Sequence, residues 1–440
     1  MSESTADQLR QQIVELVGRY AQLELAPKVF VAGQSPVPPA GKVIGAGELQ
    51  TMTEAVLDGW LTTGRFNDAF EKRLVKYLGR RCVLTTNSGS SANLIAFSAL
   101  TSPRLGDRAI KPGDEVIGVA AGFPTTVNPI LQFGAVPVFV DIELPHYNID
   151  PSKIEAAIGP KTKAIMLAHT LGNPYDLKVI RALCDKYKLW LIEDCCDALG
   201  STYDGQLVGT FGDIGTLSFY PAHHITMGEG GAVFTNSPLL SRIMESFRDW
   251  GRDCYCAPGQ DNTCKQRFCK QMGQLPEGYD HKYTYSHLGY NLKITDMQAA
   301  CALAQMDRLE NFTEVRKRNF RWLSERLANC ADYLILPQAT ANSDPSWFGF
   351  PMTLRDGCGI KRVELLQYLD SQGIGTRLLF AGNLVRQPYM EGRNFRISGE
   401  LTVTDKIMND TFWVGVWPGL GEEHLGHVAR CLEQFFGLAH

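Results

Sequence analysis

With 440 residues, 44% of them hydrophobic and 20% charged, the chain has the make-up of an ordinary globular protein with room for more than one core. Its 43 basic against 47 acidic residues leave a net charge of -4, without the basic excess of a nucleic-acid binder, and no apolar run approaches the roughly 18 residues that span a bilayer. No nucleic acid and no membrane partner is expected; a small molecule is.

The N-terminus, M-S-E-S-T-A-D-Q-L-R, carries neither a positive n-region nor an apolar h-region, so a cytoplasmic location is expected. Thr5 with Gln8 reads as a capping box, and Leu9, Ile13, Leu16, Val17 and Tyr20 recur at helical spacing, predicting an amphipathic first helix. The proline-rich S-P-V-P-P-A-G that follows cannot continue a helix and predicts an extended arm, with the body starting near Val43. A second helix is expected to open at Asn67, to carry Phe70, Leu74 and Leu78 on one face, and to end at Gly79.

From Cys82 onward short apolar runs (V-L-T-T-N, E-V-I-G-V-A, V-P-V-F-V-D, K-A-I-M-L-A, L-W-L-I-E-D) alternate with helical stretches. Runs rich in Val and Ile, apolar at consecutive positions, predict a mostly parallel sheet covered on both faces, an α/β architecture. Ligands then belong beyond the carboxyl ends of the strands. Residues 251–290 are polar, cysteine-bearing and rich in Gly, Asp, Gln and Tyr, and read as an insertion. Thr295 and Gln298 form another capping box, opening a helical stretch predicted to run to about Leu327. The strand-like F-G-F-P-M-T-L and a final helix with Leu425, Val428, Leu432 and Phe435 complete a smaller α+β domain. The expected division is 1–44 for helix and arm, 45–305 for the large domain with its insertion, and 306–440 for the small one.

Three strand ends carry candidate chemistry. After V-L-T-T-N, the turn S-G-S-S-A-N-L (Gly89, Ser90, Ser91) opens a helix whose first N–H groups and hydroxyls suit a phosphate, or serve only as a cap. Asp194 ends L-W-L-I-E-D, where a buried carboxylate needs a cation such as a protonated pyridine nitrogen, unless it caps the next helix. Leu217 to Thr235 holds Ser218, the pair His223 and His224, and a cluster of Gly228, Gly230 and Gly231 taken to supply unusual backbone angles in a tight connection between strands. Of the twelve cysteines, Cys82, Cys184, Cys301, Cys330, Cys358 and Cys431 stand singly and are expected to be buried as small hydrophobes. Cys195–Cys196 and the group Cys254, Cys256, Cys264, Cys269 cluster, and in a reducing compartment clusters point to metal or catalysis.

Taken together, S-G-S-S-A, A-G-F-P-T-T-V-N-P, L-I-E-D-C-C-D-A-L-G, S-F-Y-P-A-H-H-I-T-M-G-E-G-G-A and G-Y-N-L-K-I-T-D-M-Q-A-A occur in the order of the DegT/StrS sugar-nucleotide aminotransferases, which the chain resembles over about residues 45–435. That resemblance implies the aspartate-aminotransferase fold (fold type I), a homodimer and a vitamin B6 cofactor. By it, Gly89, Ser90, Ser91 and Ser218 cradle the phosphate, joined by Asn291 from the second subunit, Phe123 stacks on the ring and Asp194 pairs with its nitrogen. The chain departs from the family at His223, where the resemblance calls for the lysine that bonds the cofactor covalently. Imidazole forms no Schiff base, so pyridoxamine 5'-phosphate (or pyridoxal phosphate), held noncovalently, is the expected cofactor.

The lysine-to-histidine exchange resembles the family's 3-dehydrases, in which the histidine acts as base while the C3 hydroxyl of a 4-keto-6-deoxyhexose nucleotide leaves. Tyr220 and Asp197 also differ from the usual aminotransferase residues and are read as adapted to that chemistry near the substrate; His224 is read as structural. Cys196, Cys254, Cys256 and Cys264 resemble in spacing the ligands of the iron-sulfur branch, which implies a 2Fe-2S cluster, CDP-4-keto-6-deoxy-D-glucose as substrate and an NADH-dependent iron-sulfur reductase as partner. No G-x-G-x-x-G fingerprint follows a strand to supply the electrons internally. Two alternatives stay open: a cluster-free dehydrase that uses glutamate, and a silent B6-binding protein. A four-cysteine zinc site from Cys254, Cys256, Cys264 and Cys269 is the competing use of the insertion's thiols.

Overall fold

The computed structural model describes residues 5–26, 28–263 and 265–438. Its centre is an eight-stranded sheet. Seven strands come from one continuous stretch: β1 (Cys82–Thr86), β2 (Glu115–Val119), β3 (Val136–Val140), β4 (Thr162–Ala168), β5 (Trp190–Asp194), β6 (Ile214–Ser218) and β7 (Gly231–Thr235); the eighth, β8, is Arg396–Ser398. Their spatial order is β1-β7-β6-β5-β4-β2-β3-β8, with β7 antiparallel to both neighbours and the remaining pairs parallel.

Burial on both faces explains the uninterrupted apolar strands. On β4, Ala164 and Met166 join one core cluster while Ile165 and Leu167 join another; on β5, Trp190 and Ile192 face the first and Leu191 the second. The first cluster is covered by helices α4 (Gly89–Leu100), α5 (Pro124–Phe133) and α8 (Pro238–Arg248), reached after α1 (Thr5–Glu24), α2 (Ala46–Leu57) and α3 (Arg65–Leu78) in the chain. The second takes α3, α6 (Pro151–Ala157), α7 (Leu177–Tyr187) and α9 (Asp296–Gln305). Successive side chains leave a strand on opposite faces, so an apolar strand of this kind serves two helix layers.

The predicted strands lie where the sequence puts them. The helices show four differences. The helix expected to open at Asn67 begins at Arg65, with Gly64 as its cap residue. Its first N–H groups are satisfied from 230 residues away: Asp296 Oδ1 accepts from Gly64 N and Asn67 N at 2.8 Å each, and Oδ2 from Phe66 N at 3.2 Å. Asn67 is buried and accepts from Thr85 Oγ1 at 2.6 Å. The long helix expected from Thr295 is two, α9 and then α10 (Leu309–Arg326), although its Thr295–Gln298 capping box is present. The first helix already includes Thr5, so that residue is not its cap. Its apolar stripe also points outward: Leu16 and Tyr20 are 58% and 59% exposed, while Gly18 and Ala21 pack inward and Arg10 donates to Glu54 O on α2. Gly18 fits because a side chain there would strike Gln50.

Residues after α10 build a second core on a three-stranded sheet, Leu334–Ile335, Gly349–Leu354 and Thr411–Gly415. It is closed by α11 (Arg362–Ser371) and α13 (Glu422–Phe435), the latter burying Leu425, Val428 and Leu432, while α12 (Thr402–Asp410) buries Ile407 in a separate cluster with Phe348 and Trp413. Helix α10 spans both cores, with Leu309 and Phe312 in the large one and Phe320 and Leu323 in the small one. Two segments cross back: the proline-rich arm buries Val37 in the small core, and β8 extends the large sheet beside β3. Among the described residues no helix is long and apolar enough to cross a membrane.

Because Asp296 serves three N–H groups, two of them buried, Asp296→Ala is expected to lower the free energy of unfolding by about 2–3 kcal/mol, and Asp296→Asn, which keeps an acceptor, by less than half as much. Urea unfolding checks both; equal losses would show that the carboxylate is not the cap.

Candidate active site

The site forms where β1, β5 and β6 end and the segment 346–348 of the second core reaches over them. Asp194, 4% exposed, is the last residue of β5. Its Oδ2 accepts from Asn93 Nδ2 and Thr126 Oγ1, both at 2.7 Å, and its Oδ1 from Cys196 N at 3.1 Å. It therefore caps no helix: its partners come from α4, α5 and the turn after β5. The three donors are neutral, so they orient the charge without cancelling it. Asn93 and Thr126 lie inside two of the sequence motifs, yet only the fold shows their convergence on this carboxylate.

Around this carboxylate the walls are tight. Helix α4 starts at Gly89, where an added Cβ would stand 2.5 Å from Ser218 Cβ and 2.9 Å from Cys196 Sγ. Gly89 and Ser90, the first helical residues, have no carbonyl one turn back to bond, so their N–H groups are available to an anion. Ser91 is already engaged: its N–H donates to Ser88 Oγ at 3.0 Å and its hydroxyl to Asn87 Oδ1 at 2.6 Å. The Ser90 hydroxyl is exposed, 3.1 Å from Thr125 Oγ1. Of the three loop glycines, only Gly228 uses a left-handed backbone (φ 85°). Gly231 is required for space, since a side chain there would lie 2.5 Å from Ser88 O.

His223 sits on the loop between β6 and β7, its side chain 15% exposed, with Nδ1 3.3 Å from Asp197 Oδ1; the separation suits an ion pair, but the angle is off that of a hydrogen bond. Its ring leans on Phe348 at 5.2 Å between centroids. His224 points the other way, fully buried, with Nε2 2.8 Å from Ser346 O, so it carries its proton on Nε2 and is structural as expected. Burial, aided by Arg316, holds its pKa well below the usual imidazole value. Tyr220 is 51% exposed and Phe123 49%, both at the open side. Arg316 and Phe348, which shape the loop, carried no sequence signal: both lie in the chain's last third, within ordinary helix and strand patterns.

Cys196 stands in this pocket, and its thiol is held protonated by burial and by the Asp194 and Asp197 carboxylates. Cys254 and Cys256 line a different, small pocket with Asp261, Asn262, Arg267, His281 and Lys282. Cys264 lies outside the described residues; Cys269 is exposed and not part of that pocket's wall. Of the single cysteines, Cys184, Cys301, Cys330 and Cys431 are buried, whereas Cys82 and Cys358 are only partly so. Another buried group, His169, Glu193 and Cys195, is a staple: the Glu193 carboxylate already accepts from Gly209, Phe211 and Gly212 N–H groups and faces His169. Asn291 is exposed, its Oδ1 accepting from Lys293 Nζ at 3.1 Å.

A buried anion without a cation, open N–H groups beside Ser218, and an imidazole with no lysine on its loop suit a cationic heteroaromatic phosphate that brings its own amine and is held noncovalently. The topology and the strand-end position of this pocket are those of the fold-type I enzymes that use pyridoxal phosphate. Residues 42–433 match the DegT/DnrJ/EryC1/StrS aminotransferase family, and the chain belongs to it. It is 68% identical over 434 residues to the lipopolysaccharide biosynthesis protein RfbH of Salmonella typhimurium, covering 99% of each chain. To the dTDP-4-dehydro-2,6-dideoxy-D-glucose 3-dehydratase of Saccharopolyspora spinosa it is 50% identical over 426 residues, 97% of this chain and 92% of that one. Among solved structures, the E. coli GDP-4-keto-6-deoxy-D-mannose-3-dehydratase with bound hydrated PLP superposes with a TM-score of 0.82 at 25% identity, over 90% of this chain and 99% of that one.

Two outcomes test this geometry. Gly89→Ala is expected to weaken pyridoxamine phosphate binding at least about tenfold while the protein stays folded, as read by fluorescence titration, because backbone and Ser218 leave no room for the methyl. The lowered pKa of folded His224 means that the unfolded chain binds the extra proton below about pH 6.5, so stability is complete above that pH and falls as the medium is acidified. Urea midpoints between pH 7 and 5 are expected to fall less steeply for His224→Gln than for the parent; identical slopes would place the buried imidazole elsewhere.

Proposed function

We propose that the protein is a C3 dehydratase of a nucleoside-diphosphate 4-keto-6-deoxyhexose, with pyridoxamine phosphate as cofactor and His223 as its base. The observation that carries this reading is an imidazole, paired with a carboxylate, at the position where the family's covalent lysine is expected. Bound pyridoxamine phosphate would supply the amine that condenses with the C4 ketone and the ring that takes up electrons as the C3 hydroxyl leaves. Asp197 faces Nδ1, which leaves Nε2 as the nitrogen that accepts and returns a proton. Asp194 would meet the ring nitrogen; the N–H groups of Gly89 and Ser90 with the Ser218 hydroxyl would hold the phosphate, Ser91 supporting them through Ser88 and Asn87. Phe123 and Tyr220 stand where a ring and a sugar would enter.

The substrate favoured is CDP-4-keto-6-deoxy-D-glucose, on the route to 3,6-dideoxyhexoses of surface polysaccharide; the likeness to a lipopolysaccharide biosynthesis protein at 68% identity supports the pathway. Cys196, Cys254, Cys256 and Cys264 would hold a 2Fe-2S cluster fed by an NADH-dependent iron-sulfur reductase. In its favour, Cys254 and Cys256 line one pocket together, bringing two of the four thiols that such a cluster requires to one place. A homodimer in the cytoplasm belongs to this reading, in which Asn291 would reach the phosphate of the second copy; the outward apolar stripe of α1 is open to a protein partner.

Protein purified without oxygen is expected to contain about two irons and two sulfides per chain. With pyridoxamine phosphate, the reductase and NADH it should release the C3 oxygen of CDP-4-keto-6-deoxy-D-glucose. His223→Asn is expected to lower that turnover by about 10²–10⁴-fold while cofactor binding persists. Iron-free protein that turns over with glutamate would overturn the cluster, and an unimpaired His223→Asn enzyme would overturn the base.

A further inference from the structure

Arg316, on α10, is 1% exposed and is the largest of the fully buried side chains. Its guanidinium forks between two segments of main chain. One terminal nitrogen donates to Trp347 O and Phe348 O at 3.3 Å each. The other donates to Ala222 O at 3.4 Å and His223 O at 3.3 Å. Its plane also faces the Phe348 ring, on which His223 leans, at 5.7 Å from the centroid.

We infer that Arg316 is the positioning residue of His223: one buried guanidinium carries the main chain of the imidazole and fixes the aromatic ring behind it. The inference rests on the proposed role of His223 as base.

A staple alone needs only donors, and a neutral amide would supply them without the cost of burying a charge. A guanidinium instead reaches four carbonyls on two segments at once. Burial pulls its guanidinium down to about 9, and the opposing influence comes from Asp197, the same carboxylate that stands 3.3 Å from His223. Arg316 thus anchors the backbone that bears the ring and the aromatic ring on which it leans. Long arginine reach also explains how a helix bridging the two cores acts on a loop between β6 and β7. The fork ties that loop to the 347–348 segment of the second core, so the position of the base depends on both cores at once. Misplacement of a reacting group by about 1 Å is enough to cost about 10²-fold in rate.

The test uses the full-length protein loaded with pyridoxamine phosphate and turning over CDP-4-keto-6-deoxy-D-glucose. Arg316→Met is expected to lower kcat by about 10- to 100-fold with KM changed less than about twofold. Arg316→Lys keeps the charge but reaches only one carbonyl pair, and it should recover part of the rate. In a His223→Asn background, adding either change should alter kcat by less than about twofold, because the group being positioned is gone. Histidine-selective ¹⁵N spectra, with His223→Asn assigning the signal, should show the Nδ1–H tautomer in the parent and its loss or averaging in the Arg316 variants. Multiplying effects in the double variants, or an unchanged tautomer in Arg316→Lys, would overturn the inference; the lysine variant decides it if Arg316→Met does not fold. Full turnover by His223→Asn would sink the base reading, while the spectra would still decide whether Arg316 holds the ring.

Discussion

A carboxylate buried at the end of a central strand must be compensated, and the site is arranged around that need. Asp194 is 4% exposed and bonded by three neutral donors, which fix its direction and leave its charge. Uncompensated, such a charge would be expelled or protonated. On the proposed function the pocket receives a cation beyond β5, between the start of α4 on one side and Ser218 at the end of β6 on another. The pyridine nitrogen of the proposed cofactor is the cation that this position favours.

The second constraint is the reach of the small core into the large one. The loop of His223 is held from behind by Phe348 and Ser346, residues of the segment leading into the second sheet, and by Arg316 from the bridging helix. Close approach is built into the main chain: a side chain at Gly172 would meet Ser346 O at 2.3 Å. His223 and His224, adjacent in sequence, are thereby turned to opposite ends. One faces a carboxylate in the pocket, and the other is sealed against a carbonyl, where burial keeps it neutral.

The insertion is organised by charge rather than by apolar packing. Arg267 pairs with Asp280, Lys282 with Asp261 and His281 with Asp253, and these pairs surround the pocket of Cys254 and Cys256. Ion pairs at the surface contribute little stability each, so these pairs orient the segment more than they stabilise the fold.

The sequence by itself determined the sheet and the strand ends that bear Gly89, Asp194 and Ser218, because alternation, apolar runs and small-residue turns are local properties; the exchange at His223 was legible only through the family resemblance. Helix ends were less legible. Asn67 looked like a cap by residue type, but the capping carboxylate is Asp296, and no local pattern records a partner 230 residues away. The outward stripe of α1 is another case: periodicity identifies an apolar face without saying whether this chain covers it. Only the tertiary structure decided that Asn93 and Thr126 hold Asp194, that Ser91 is spent on its own turn, and that Arg316 carries His223. Each depends on groups from separate elements meeting in space, and the physical reason is the same throughout: hydrogen bonds and charges satisfy whatever is near in three dimensions, whereas composition and spacing describe only what is near along the chain.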